Sequence, residues 1–176
     1  MKSTAVVIAG VTLLAHLPAL SAENIFVLAA FDRSPDTAAV EWMREETARV
    51  FSEAGVTFLW RPVNQLNIMP AGAVRVRLQV HGDCRIEPNA LTAAEGGPMG
   101  WVESQEGVIR PLIDVDCDSI SAMVWEHRGT FPRPLVVRAF GRALGRVLAH
   151  ELYHYVTQST AHSASGIFRH ALTPGT

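Results

Sequence analysis

LVVRAFGRALGRVLAHELYHYVT, residues 135–157, is the longest run of helical pattern in the chain. Leu135, Val136, Ala139, Leu144, Val147 and Leu148 recur at helical spacing and leave one side apolar. Within the run, HELYH (150–154) sets two histidines four residues apart. Residues at that spacing differ by about 40° in azimuth on an α-helix, so His150 and His154 can face one metal ion. Glu151 lies about 100° from His150, close enough to approach the ion's open coordination position without being forced to ligate. Imidazole nitrogen is a natural zinc ligand, and a catalytic zinc takes three protein ligands and keeps a fourth position open. A water in that position acquires a pKa of around 7, and a neighbouring carboxylate can take its proton and return it to a leaving amine. The segment implies a zinc site with Glu151 as its general base.

The third ligand has to come from outside the helix. His162 is the first candidate, eight residues past His154 and beyond a polar stretch (Thr157, Gln158, Ser159, Thr160) able to end the helix and turn the chain back. His170 is the rival. His81 and His127 read as strand-end and loop residues. Asp114, Asp116 and Asp118 have the spacing that opens a calcium loop. The sixth position of that pattern would be Ser119 rather than Gly and the twelfth Trp125 rather than Glu, so the calcium reading is rejected. A purely structural zinc would prefer a fourth closing ligand and has no use for Glu151.

Upstream of the helix, IFVLAAF (25–31) reads as a buried strand. Ser34-Pro35-Asp36 is expected to open a helix, with Ser34 as the cap, Pro35 at the first helical position and Asp36 in the first turn. Gly55 ends it. VTFLWRPV (56–63) is a second strand, and VRVRLQVH (74–81) alternates strictly, with Val74, Val76, Leu78 and Val80 inward. Residues 82–100 read as a loop. GWVES (100–104) and VIRPLIDV (108–115) form a hairpin through Gln105-Glu106-Gly107, and Pro111 calls for an edge or a bulge. A loop holding Pro132 and Pro134 then leads to the long helix. This order predicts a single α+β domain, close to α/β, on a twisted mixed sheet.

The 176 residues fit one domain, and 48% apolar residues suffice for its core. A net charge of −2 without a basic stripe gives no nucleic-acid footprint, so no such partner is expected. Lys2, the apolar run AVVIAGVTLLA (5–15), Pro18 and the small residues Ala19, Ser21 and Ala22 have the parts of a signal peptide over residues 1–22. His16 and Pro18 leave that run too short to span a bilayer comfortably, so no stable membrane insertion is expected after cleavage. The mature chain, residues 23–176, would be secreted or periplasmic. There Cys84 and Cys117 are expected to pair, closing a loop worth about 3–4 kcal/mol in the chain-entropy model. Two buried free thiols are the alternative.

The stretch HELYHYVTQSTAHSASGIFR (150–169) resembles the zinc site of the metzincin-like zincin metallopeptidases. It is most similar to small exported bacterial proteins with HExxH, seven residues, a third His, and a G-I-M-R-like segment. The resemblance implies a single zincin-like catalytic domain over residues 23–176, with zinc on His150, His154 and His162 and Glu151 as base. It also implies Gly166, Ile167, Phe168 and Arg169 as the turn beneath the metal, with GWVES as an edge strand that binds an extended peptide. A peptide or protein would be the substrate, and the enzyme is expected to be a monomer. Three departures accompany it. Most metzincins have five residues, not seven, before the third His. Phe168 stands where the turn carries methionine. Gln158 stands where a helix-ending Gly is usual, and a left-handed Gln costs about 1 kcal/mol. Two alternatives stay open: a zinc-stabilised binding protein without activity, and a zinc amidase or esterase acting on small molecules.

Overall fold

The apolar run at 25–31 becomes an interior strand of a five-stranded sheet. The computed structural model describes residues 24–68, 70–86 and 97–162. Strand β1 (Asn24–Phe31) is flanked by β2 (Thr57–Pro62) and β3 (Val74–His81), both parallel to it. β5 (Val108–Asp116) runs parallel to β3, and β4 (Gly100–Gln105) closes the order β2-β1-β3-β5-β4 antiparallel to β5. The strand expected at an edge, GWVES, is at the edge. Glu106 and Gly107 turn the hairpin with φ of 53° and 80°, the double positive φ that matches the twist of a two-residue turn. The β4–β5 register shifts between Val102 and Ser104, and Pro111 falls in that bulge. Pairing with β3 begins only at Leu112, so the proline's missing N–H is not needed by the ladder.

Three helices cover the sheet, and each departs from expectation in its cap, its existence or its start. α1 (Thr37–Val50) is capped by Asp36, not Ser34; its carboxylate accepts from the N–H groups of Ala38 (2.9 Å) and Ala39 (3.3 Å). Asp36 thus lies outside the first turn, and Pro35 precedes the cap. Residues 117–126, read as loop, form α2 (Cys117–Glu126). Asp116 caps it by accepting from the N–H groups of Asp118 and Ser119, while Asp114 contacts His81 and Asp118 accepts from the Asp83 N–H. α3 (Arg133–Thr157) starts two residues before the expected 135, with Pro134 in its first turn, where a missing N–H costs nothing.

The core lies between one face of the sheet and these helices. Val76, Leu78, Val80, Ile113 and Val115 pack in one cluster with Met43, Phe140, Leu144, Leu148 and Leu152. α1 and α3 approach closely at Gly141 and Gly145. A Cβ at Gly141 would lie 2.5 Å from the Ala39 carbonyl oxygen, and one at Gly145 would lie 2.6 Å from that of Met43. Beside this contact Glu46 of α1, 4% exposed, pairs with Arg49 (2.6 Å), Arg142 (3.0 Å) and Arg146 (2.9 Å). α3 is therefore fixed along its length before it reaches its chemically distinctive last turns. A disulfide between Cys84 and Cys117 ties the segment after β3 to the start of α2. Among the described residues, no helix is long and apolar enough to cross a membrane. The expected signal peptide lies outside the described residues.

Candidate metal centre

The last two turns of α3 bury three polar side chains that an ordinary core would exclude. His150, Glu151 and His154 are 7%, 6% and 5% exposed. Buried groups of this kind need partners. Nδ1–H of His154 donates to the carbonyl of Ser159 at 2.7 Å. A carbonyl can only accept, so the neutral ring carries its proton on Nδ1 and turns the lone pair of Nε2 away from the backbone. That second partner is the usual device for fixing the tautomer of a metal-ligating histidine. Nε2 of His154 lies 3.0 Å from Nε2 of His150.

His162 completes the cluster from the loop after α3. Its ring centroid is 4.7 Å from that of His154 and 5.2 Å from that of His150. One potential ligand atom from each of the three histidines lies within 4.8 Å of the other two. Ligands about 2.0–2.1 Å from a tetrahedral ion lie about 3.3 Å apart, so the cluster would close by at most about 1.5 Å to hold one. Three nitrogen donors, two of them rigid on one helix and one exposed on a loop, fit a metal ion. His170 and the segment Gly166–Arg169 lie outside the described residues.

Glu151 points from α3 toward β4. A Cβ on Gly100 would come within 3.3 Å of Oε1 of Glu151 and 2.6 Å of Cγ1 of Val147, so strand and helix touch here only because residue 100 has no side chain. Burial pushes the Glu151 carboxyl up to about 7. A nearby cation favours the ionised form, so a metal would act in the opposite direction. The histidines and Glu151 open into one cleft of about 470 Å³, bordered by Met99, Gly100 and Thr160.

Of the described histidines, His81 and His127 do not line this cleft. His81 ends β3, where Nε2 contacts Asp114 (2.7 Å) and the ring stacks on Trp101. His127 follows α2 and donates from Nδ1 to the Met123 carbonyl. Both have the structural roles expected of them. Sequence reading missed Ser159, which works through its backbone and leaves no residue-type signal. It also missed Gly100, whose importance depends on a helix about fifty positions later.

Comparison of the chain with protein-family models, with curated proteins and with solved structures finds no match.

Proposed function

We propose that this chain is an exported zinc metallopeptidase of metzincin-like architecture, with His150, His154 and His162 as metal ligands and Glu151 as general base. The observation that carries this reading is a buried carboxylate sharing one cleft with three imidazoles whose ligand atoms converge. Three nitrogen donors suit zinc, although ligand type alone also admits neighbouring divalent metals. When bound, zinc polarises a carbonyl and acidifies water.

The chain's own residues do the rest. Nδ1 of His154, held by Ser159, keeps Nε2 available as a donor. Glu151 is adjacent to His150 in sequence and faces the cleft, where it accepts a proton from the attacking water and returns it to the leaving amine. The buried setting holds the carboxylate in one place and keeps bulk water from competing for it. Among the described residues β4 pairs on one side only, with β5, and an extended peptide can add to such an edge by backbone hydrogen bonding. The antiparallel position of β4 beside the HExxH helix also supports the metzincin-like reading. The disulfide supports an oxidising destination.

Glu151→Gln tests the proposal, because it keeps size and polarity while removing the basic oxygen. The variant should bind one zinc and melt near the wild-type temperature. Hydrolysis of a peptide found by library digestion should fall at least about 100-fold. Equal cleavage by the variant would refute the role of Glu151. If the zinc-loaded wild type cleaves no peptide, ester or amide, the chain is a metal-stabilised binding protein instead.

A further inference from the structure

Gln158 adopts φ 49° and ψ 38°, a left-handed conformation that it shares, among non-glycine described residues, only with Glu106 of the hairpin turn. Its position is where the metal site is assembled. The turn at 158 brings the Ser159 N–H to the His154 carbonyl (3.3 Å) and the Ser159 carbonyl to Nδ1 of His154 (2.7 Å). Four residues later the same turn delivers His162 to the other two rings.

The side chain of Gln158 supplies what its backbone lacks. Oε1 accepts from the Ile109 N–H at 3.0 Å, while Nε2 donates to the Ile109 carbonyl at 3.3 Å and to the Tyr155 carbonyl at 2.7 Å. One amide thus meets both backbone groups of Ile109 and also one of the last carbonyls of α3. Ile109 is 2% exposed and pairs with Ser104 of β4. The anchor is a buried part of the hairpin whose other strand borders the cleft. A glycine could adopt the same φ and ψ, but it could not attach the turn to the sheet.

We propose that Gln158 is a positioning residue for the metal centre: its amide, clamped on the Ile109 backbone, holds the turn that orients His154 through Ser159 and presents His162 to the ion. The clamp also joins the loop carrying the third ligand to the β4–β5 hairpin, so ligand loop and cleft wall are set by the same side chain. This inference rests on the three-histidine metal site proposed above. It goes beyond that site in assigning a role to a residue that neither ligates nor reacts.

Two variants of the mature protein separate the clamp from the backbone conformation. Gln158→Gly accepts the left-handed turn and removes the amide. Gln158→Met keeps the length and removes the hydrogen bonds. Zinc affinity by chelator competition should fall about 10- to 100-fold in both, the usual effect of losing an outer partner of a metal ligand. The cobalt-substituted variants should lose intensity in the visible bands that report four-coordination, while the metal-free proteins keep the wild-type circular dichroism. A purely structural role would lower the metal-free melting temperature and leave affinity and cobalt spectrum unchanged, and that result overturns the proposal. So does wild-type affinity in Gln158→Gly alone, which would mean that the turn needs only its φ. Wild-type protein that binds neither zinc nor cobalt refutes the metal site itself. Loss of the clamp's effect with metal binding intact refutes only the positioning role.

Discussion

Glu46 offers a quantitative test of what holds the helix of His150 and His154 in place. Burial raises the pKa of its carboxyl, but hydrogen bonds from Arg49, Arg146 and Arg142 outweigh burial and lower it from 4.5 to about 2. A difference of about 2.5 pKa units corresponds to about 3 kcal/mol, at 1.36 kcal/mol per unit. The three arginine side chains are 60%, 39% and 30% exposed, and solvent screening reduces the expected value toward about 2 kcal/mol. The folded-state pKa lies below the unfolded one, so this contribution is complete above about pH 4.5 and is lost as pH falls toward about 2. Glu46→Gln preserves volume and abolishes the titration. Urea unfolding of the disulfide-intact wild type and variant should differ by about 2–3 kcal/mol at pH 7. The gap should hold down to about pH 4.5 and then narrow steadily. Taking the difference between the two proteins cancels the titration of other carboxylates. A gap that stays constant from pH 7 to pH 2, or none at pH 7, refutes the assignment.

Gly100→Ala should destabilise the fold by about 1–3 kcal/mol, because the added methyl meets Val147 at 2.6 Å and neither backbone can yield freely. It should also lower kcat/KM disproportionately by pushing β4 away from Glu151, which thermal melting and peptide kinetics together would establish. His162→Ala should weaken zinc binding by more than 100-fold, beyond the range for outer partners. His170→Ala should leave zinc in place after dialysis against a weak chelator, and the reverse pattern would move the third ligand to His170. Replacing Cys84 and Cys117 together by Ser should cost about 3–4 kcal/mol in denaturant titrations. Alkylation of the unreduced protein should add no label by mass spectrometry.

Several elements were legible without coordinates because their signals are local. Strict alternation over residues 74–81 placed Val76, Leu78 and Val80 on one face, and all three are fully buried. Gly107 gave the hairpin turn, and Pro111 gave the bulge. α2 was missed because its cap, Asp116, stands in an acidic triplet that first raises metal chemistry, and its ten residues are too short a window for the helical spacing of Cys117, Ile120 and Val124 to stand out. The cap of α1 was misplaced by two residues, since Ser34 and Asp36 are both good capping types and only the amides of Ala38 and Ala39 distinguish them.

The sequence by itself determined that His150, Glu151 and His154 share one end of one helix. The reason is that helical azimuth follows from spacing alone, at about 100° per residue, whatever the rest of the chain does. Tertiary structure decided what surrounds them. It set the order of the strands, brought β4 against Glu151 at Gly100, and carried His162 back to the other rings. It joined Gln158 to Ile109 across 49 positions and Glu46 to Arg142 and Arg146 across 96 and 100. Such contacts leave no periodic trace, because they depend on which surfaces pack together and which buried polar groups then find a partner. For Gln158 the sequence disclosed only the strain of a left-handed glutamine, and the fold disclosed the backbone that its amide meets.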